Sequence, residues 1–343
     1  MHHIHSHNPY TYFLVAFFSI LFTSLAIPSS DEPATSIKKD IDSLSTVDDS
    51  SYLGEIAISL DDAPMPGTVL HGGMEKTKKI LRALQEAKCP AIGIFATAAH
   101  VQGATNMERL RMYGEAGHMI ANHSYSHYCL SKVTSEKFIA DIKKAHEVLS
   151  SLPNFKPFFR FPYLAEGKNK AQRQVVISAL QAMGYREGYT TVNNHDYYIN
   201  KLLVEAIKTG KKVDYDKLRN LYISILWDCI ETNQKLAYKV CNRKVKHVLL
   251  LHENDLAALF IGDLIAHIRK QGWKVISIEE AYQDPIASIP VTNTYSLVGR
   301  IGAIAREQGL GKDLVPFPEA AYLEYIPKAI REQHIFTTPN HTP

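Results

Sequence analysis

From residue 54 to residue 278 the chain alternates between short apolar runs and longer stretches with helical spacing, and this alternation narrows the fold more than any other feature. Apolar strand patterns fall at 55–60, 91–96, 118–121, 158–161, 189–192, 247–251 and 274–278. Helical patterns fall between them at 74–87, 106–116, 134–150, 172–183 and 256–271. Gly117, Gly184 and Gly272 follow three of the helices as stop signals. Such a repeat builds a parallel sheet with helices outside, either open or closed into a barrel. Asp61, His123, Arg160 and His252 each stand at the C-terminal end of an expected strand. A barrel turns all those ends to one face, whereas an open sheet would gather only the ends beside a switch point. Four polar strand ends spread along the chain therefore favour an α/β fold of the distorted (β/α) barrel kind.

The stretch 198–243 breaks the alternation. Lys201 to Lys208 has helical character, and Leu218, Tyr222, Ile225 and Cys229 form a second helical stripe. It reads as a helical insertion. Trp227 suggests a cap beside the site, with a helix pair on the barrel wall as the alternative. The segment 285–343 carries scattered aromatics and prolines, among them Tyr295, Phe317, Tyr322 and Tyr325, and reads as a C-terminal extension wrapping the barrel.

Residues 1–27 are a separate object. Tyr10 to Ile27 is nearly all apolar and Pro28 breaks it, as in a secretory signal peptide. The first ten residues hold four His and no Lys or Arg, so an uncleaved N-terminal anchor is the rival reading, the one route to a membrane in this chain. Either way the expected location is exported, periplasmic or extracellular. Residues 28–53, rich in Ser, Asp, Thr and Lys, read as a solvated linker. The four cysteines, Cys89, Cys129, Cys229 and Cys241, form no Cys-x-x-Cys, so no zinc knuckle is indicated and free thiols are expected. A formal net charge of only +3 with no dense Lys/Arg run argues against nucleic acid as a partner.

The chemistry centres on Ala121-Asn122-His123-Ser124-Tyr125-Ser126-His127. Two imidazoles four residues apart, together with one carboxylate, bind a divalent ion such as zinc and leave a position for water. The ion lowers the pKa of that water and polarises a carbonyl. A second carboxylate beside it serves as base, and a histidine across the site protonates the leaving group. Each signal alone is weak: another His-x-x-x-His lies in the leader at His3 and His7, and Asp48-Asp49 is a solvated pair in the linker. Their combination and order carry the reading.

These residues resemble the polysaccharide deacetylases of the NodB-homology type, carbohydrate esterase family four. Ser59-Leu60-Asp61-Asp62-Ala63-Pro64 is similar to the family's T-F-D-D-G-P motif, and Gly117 to His127 is similar to its G-H-E-I-x-N-H-[ST]-x-S-H stretch. Phe159-Arg160-Phe161-Pro162-Tyr163 is similar to F-R-x-P-Y, and Leu249-Leu250-Leu251-His252 to the closing L-x-L-H. The resemblance covers residues 54–284 and implies a distorted (β/α) barrel. It implies that Asp62, His123 and His127 hold the metal, zinc, with cobalt or another divalent ion as alternatives. Asp61 would be the general base, Arg160 its ion-pair partner, the Tyr163 backbone N–H an oxyanion donor and His252 the general acid.

Two departures from the family pattern stand out. The D-x-x-D-W motif becomes Asn193-Asn194-His195-Asp196-Tyr197, so Asn193 replaces the Asp that orients the acid histidine, unless Asp196 takes over. Tyr197 replaces a groove-lining Trp, and Ala63 replaces a Gly. With its helical insertion the chain resembles a branch of the family whose substrate the motifs do not give. The expected function is metal-dependent removal of acetyl groups from an N-acetylated or O-acetylated glycan. The alternatives are an amidase or esterase acting on a small acetylated substrate, and a catalytically weak carbohydrate-binding relative.

Overall fold

A computed structural model describes residues 54–295, 298–310 and 319–338. The leader, the linker and Phe317 lie outside the described residues. In chain order the elements are β1 (Glu55–Ala63), α1 (Gly73–Glu86), β2 (Gly93–Ala96), α2 (Gly103–Glu115), β3 (Met119–Asn122), α3 (Ser135–Leu149), β4 (Phe155–Phe159), α4 (Lys170–Ala182) and β5 (Arg186–Glu187). There follow α5 (Asp196–Lys208), β6 (Lys212–Val213), α6 (Tyr215–Cys241), β7 (Lys246–His252), α7 (Asp255–Lys270), β8 (Lys274–Val275) and α8 (Ile278–Ala281). The C-terminal segment supplies α9 (Gly299–Glu307), α10 (Glu319–Glu332) and β9 (Phe336–Thr337). No helix among the described residues is long and apolar enough to cross a membrane.

The sheet is parallel, in the order β5-β4-β3-β2-β1-β7. β1 lies in its interior, and Ile56, Ala57, Ile58 and Leu60 are all fully buried, as expected for a strand covered on both faces. β7 pairs with one edge of β1 from Glu55↔Lys246 to Asp61↔His252. The other edge is shared by β8 near the start and β2 near the end. The sheet then curls shut. The stretch 186–192 leaves β4, where Gly188 N–H donates to the Phe159 carbonyl, and reaches β7, where Val192 bridges Leu249. Thr191 and Val192 N–H both donate to Val248, and Leu250 N–H donates back to Val192. One short segment thus joins the two sides of a distorted (β/α) barrel.

Helix starts follow local chemistry. Thr134, Asn169, Asp214 and Asn254 each cap a helix by accepting from a backbone N–H three residues on. The expected strands at 158–161 and 189–192 are displaced. β4 begins at Phe155 and ends before Arg160, and β5 covers Arg186–Glu187 with only a bridge at Val192. Pro162 opens a 3₁₀ turn that takes Arg160 and Phe161 out of the ladder.

α5 and α6 pack on the barrel wall. Leu218, Leu221, Tyr222, Ile225, Leu226 and Cys229 are buried in the same apolar core as β1, β7 and α7. The Trp227 ring lies against Trp273, 5.7 Å away, and Trp273 sits over Gly54 where the strands begin. In a parallel sheet that end is opposite the strand ends that carry the site. A cap built around Trp227 is therefore corrected to a wall contact. α9 packs on α6, and β9 pairs antiparallel with β6. All four cysteines are free, with Cys229 buried and the others partly buried.

Candidate metal centre and active site

Adjacent side chains on a regular strand face opposite ways. β1 avoids this with a bulge: its register against β2 shifts between Asp61 and Ala63, and Asp62 adopts a left-handed conformation with φ 64°. Asp is among the few residues that tolerate that region. Both carboxylates consequently face His123, whose Nε2 is 3.7 Å from Asp61 Oδ2 and 3.8 Å from Asp62 Oδ1.

The histidine loop is held by its own polar residues. Asn122 accepts from Ser124 N–H at 2.8 Å and donates to Ile142 O and Tyr185 Oη. Asp141 accepts from the N–H groups of Tyr125 and Ser126, and Ser124 Oγ accepts from His127 N–H. The loop turns through positive φ at Ser124 and at His127, and this brings His127 Nε2 to 3.2 Å from Asp62 Oδ1.

Asp62, His123 and His127 offer ligand atoms that all lie within 4.8 Å of one another. Tetrahedral bonds to zinc would separate such atoms by about 3.4 Å, so the set fits a small divalent ion with little movement. His123 Nδ1 faces the Arg160 carbonyl at 2.9 Å, which places the proton there and leaves Nε2 free to bind metal. Burial pushes His127 down to about 4, against the pull of Asp62, so its imidazole is neutral at ordinary pH. Burial alone would raise Asp62. The charges of His127 and His123, and more weakly His252 and His100, reverse that and hold it well below the usual carboxylate range. Thr97 Oγ1 donates to Asp62 Oδ1 at 3.1 Å.

Asp61 is held from behind. Arg160 Nη1 donates to Asp61 Oδ1 at 2.5 Å and to Ser59 Oγ at 2.8 Å. Its Nε donates to Gly188 O and its Nη2 to Tyr282 Oη, while the guanidinium lies 3.7 Å over the Phe95 ring. Only glycine fits at 188, because a Cβ there would stand 2.3 Å from Phe95. The arginine is fully buried, so nearly every donor needs this framework.

His252 completes the cluster. Its Nδ1 lies 2.7 Å from Asp196 Oδ1, and its backbone N–H donates to Asp196 Oδ2 at 2.9 Å. Asn254 Nδ2 also donates to Asp196 Oδ2. Asn193 instead accepts from Asn194 N–H, so the orienting carboxylate is Asp196 and the expected weakness at Asn193 is corrected. Burial works against a charged His252. Asp196, by charge and hydrogen bond, with Asp62 and Asp61, overrides it and raises His252 to about 9.

Glu253, the next residue, is fully buried and accepts from Arg109, Thr77, Tyr113 and Met65 N–H, tying the loop after the Asp pair to the end of β7. Tyr163 takes φ 59° in the turn after β4, with its ring 4.6 Å from His127. The side chains of Asp62, His127 and His252 remain 20%, 24% and 18% exposed, so the centre opens to solvent. All seven residues singled out in the sequence therefore gather around one centre. Ser59, Phe95, Thr97, Asp141, Gly188 and Tyr282 were not singled out, and of these only Ser59 lay inside a recognisable motif.

Residues 53–188 match the polysaccharide deacetylase family. This part of the chain, less than half of it, is what is similar to that family. A peptidoglycan-N-acetylglucosamine deacetylase of Bacillus cereus is 32% identical to the chain over 110 residues, 32% of this chain and 36% of the relative. A chitin deacetylase of Colletotrichum lindemuthianum is 22% identical over 190 residues, 54% of this chain and 65% of the relative. The chain thus spans less than two thirds of the length of either relative. Among solved structures, a carbohydrate esterase family 4 pseudoenzyme from Bacillus anthracis overlaps 67% of this chain and 66% of its own, with 16% identity and a TM-score of 0.47. The deacetylase match ends at residue 188, so Asp196 and His252 come from the part of the chain beyond it.

Proposed function

We propose that this chain is a metal-dependent hydrolase that removes acetyl groups from an N-acetylated or O-acetylated glycan. One observation carries the reading. Beside the Asp62–His123–His127 ligand set stand a spare carboxylate, Asp61, gripped by Arg160, and an acid histidine, His252, gripped by Asp196. Metal binding alone needs neither of them.

A divalent ion held by the three ligands, zinc by the donor set, would polarise the acyl oxygen and acidify a water. Asp61 Oδ2, 3.7 Å from the metal-facing nitrogen of His123, takes the proton from the attacking water. The Arg160 contact holds the Asp61 carboxylate in place for that transfer. The Tyr163 backbone N–H, set in its left-handed turn beside His127, donates to the developing oxyanion. His252, with Nδ1 committed to Asp196, gives its Nε2 proton to the departing sugar nitrogen or oxygen. The partly exposed centre suits a polymer better than a small molecule. The apolar leader supports action outside the cytoplasm, in the periplasm or beyond the cell.

The test is acetate release by the purified protein from chitin oligomers, peptidoglycan, acetylated xylan and an aryl acetate, with added zinc or cobalt and with a chelator. Chelator-sensitive release from one glycan is the expected result. Metal binding without release from any of the four would overturn the hydrolase reading.

A further inference from the structure

Few large apolar side chains are strongly exposed among the described residues, and four of them are tyrosines: Tyr163, Tyr197, Tyr215 and Tyr325. Three of the four lie on one path through the active centre, made of ring contacts on either side of the Asp61–Asp62 pair. Tyr163 contacts His127 at one end of it. On the other side Tyr197 stands edge-on to His252, 5.9 Å away, and 6.0 Å from the buried ring of His195. His195 stacks on Tyr322 of α10, 5.2 Å away with 25° between the planes, and Tyr325 follows 6.4 Å further on. Tyr322 and Tyr325 are three residues apart and so share a face of the helix.

The path ends in the C-terminal extension, well outside the 53–188 match. Its two open ends, Tyr163 at 53% and Tyr325 at 47% exposure, flank the metal ligands and His252. The inner rings, buried His195 and half-buried Tyr322, hold the track together while Tyr197 and Tyr325 present faces to solvent. Exposed aromatic faces suit the apolar C–H face of a pyranose ring while their hydroxyls stay wet. A linear glycan lying across the centre would meet Tyr163 on one side and Tyr197, then Tyr325, on the other.

We propose that α10 of the C-terminal extension supplies a distal sugar subsite, with Tyr325 as its contact residue, so that the extension makes the enzyme selective for long chains. This rests on the glycan deacetylase reading. The extension is anchored for the purpose: Ile326, Ala329 and Ile330 are buried in the main core, and β9 beyond them pairs with β6.

The experiment compares kcat/KM on the dimer and the hexamer of N-acetylglucosamine for the full chain, Tyr325→Ala and Tyr325→Phe. The expected result is a hexamer-to-dimer ratio above one that falls about 3- to 10-fold in Tyr325→Ala, through KM, and returns in Tyr325→Phe. An unchanged ratio in Tyr325→Ala, or no length preference in the full chain, overturns the subsite while leaving the deacetylase reading intact. If neither oligomer is deacetylated, calorimetric titration of the metal-loaded protein with the hexamer still decides. Tighter binding by the full chain than by Tyr325→Ala upholds the subsite, and equal or absent binding overturns it. Tyr325 is on the surface, and a thermal unfolding midpoint matching the parent checks that the variant is folded.

Discussion

Asp196→Asn is the substitution that asks most of the proposed acid. Asp196 is fully buried, and both its oxygens are committed: Oδ1 faces His252 Nδ1, and Oδ2 accepts from the His252 N–H and from Asn254. An amide has one oxygen for these three donors. The two donors at Oδ2 hold that oxygen, so the NH₂ group meets His252 Nδ1 and drives the imidazole to the Nε2–H tautomer, neutral. The rise of His252 from 6.5 to about 9 corresponds to about 3 kcal/mol in favour of the imidazolium. Burial pushes the other way, and with only Asp62 and Asp61 left to oppose it the value drops towards the ordinary 6.5. For a full return to 6.5 the charged fraction at pH 8 falls about 30-fold, and activity that depends on it falls in step. The same shift acts on stability. The raised folded value stabilises the protein fully below pH 6.5, and this is lost as pH rises through about 9. Two assays check this: an NMR titration of His252 in the metal-free protein, and the alkaline limb of kcat/KM in the metal-loaded one. If Asp196→Asn leaves the His252 titration near 9, the orienting role is wrong. If the titration moves but the limb does not, His252 is not the acid.

Other substitutions test the remaining supports. Asp61→Asn should retain metal by elemental analysis yet lose about 10²- to 10⁴-fold in kcat, whereas His127→Ala should lose metal and activity together. Tyr282→Phe removes a hydroxyl that accepts from Arg160 and donates to Tyr189 O. It should cost about 1–3 kcal/mol in urea unfolding and lower kcat without altering metal content. Arg109→Met strands Glu253 in the core and should cost about 3–5 kcal/mol, with Arg109→Met/Glu253→Met recovering most of it.

Much of the site was legible because its residues sit at strand ends, and strand ends can be read from apolar runs. Asp61, His123 and His252 needed only that pattern and their residue types. The strand before Arg160 ends at Phe159, two residues short of its expected boundary, and the motif located Arg160 regardless. What stayed hidden depends on backbone detail or on distance. The left-handed turn at Asp62, which makes the Asp pair converge, follows from pairing with β2 rather than from β1 alone. Asn193 and Asp196 fall three residues apart in one motif, and only the start of α5 decides which reaches His252. Closure of the barrel rests on 186–192, too short and irregular to signal two partners. Trp227 looked like a lid because its helix follows the alternation's break, but helix pattern does not say which end of a barrel a side chain meets. Tyr282 reaches Arg160 and Tyr322 reaches His195 across more than 100 residues of chain, with no local signal at all.

The two halves of the metal centre belong to regions of unequal local stability. Asp61 and Asp62 ride on a strand hydrogen-bonded along both edges, where amides exchange with solvent only on global opening. His127 ends a loop pinned by a few side chains, which can open far more cheaply. A bound ion would therefore act as a staple between a rigid wall and a breathing one. Its signature in native-state hydrogen exchange is added protection over residues 124–127, with the amides of β1 unchanged.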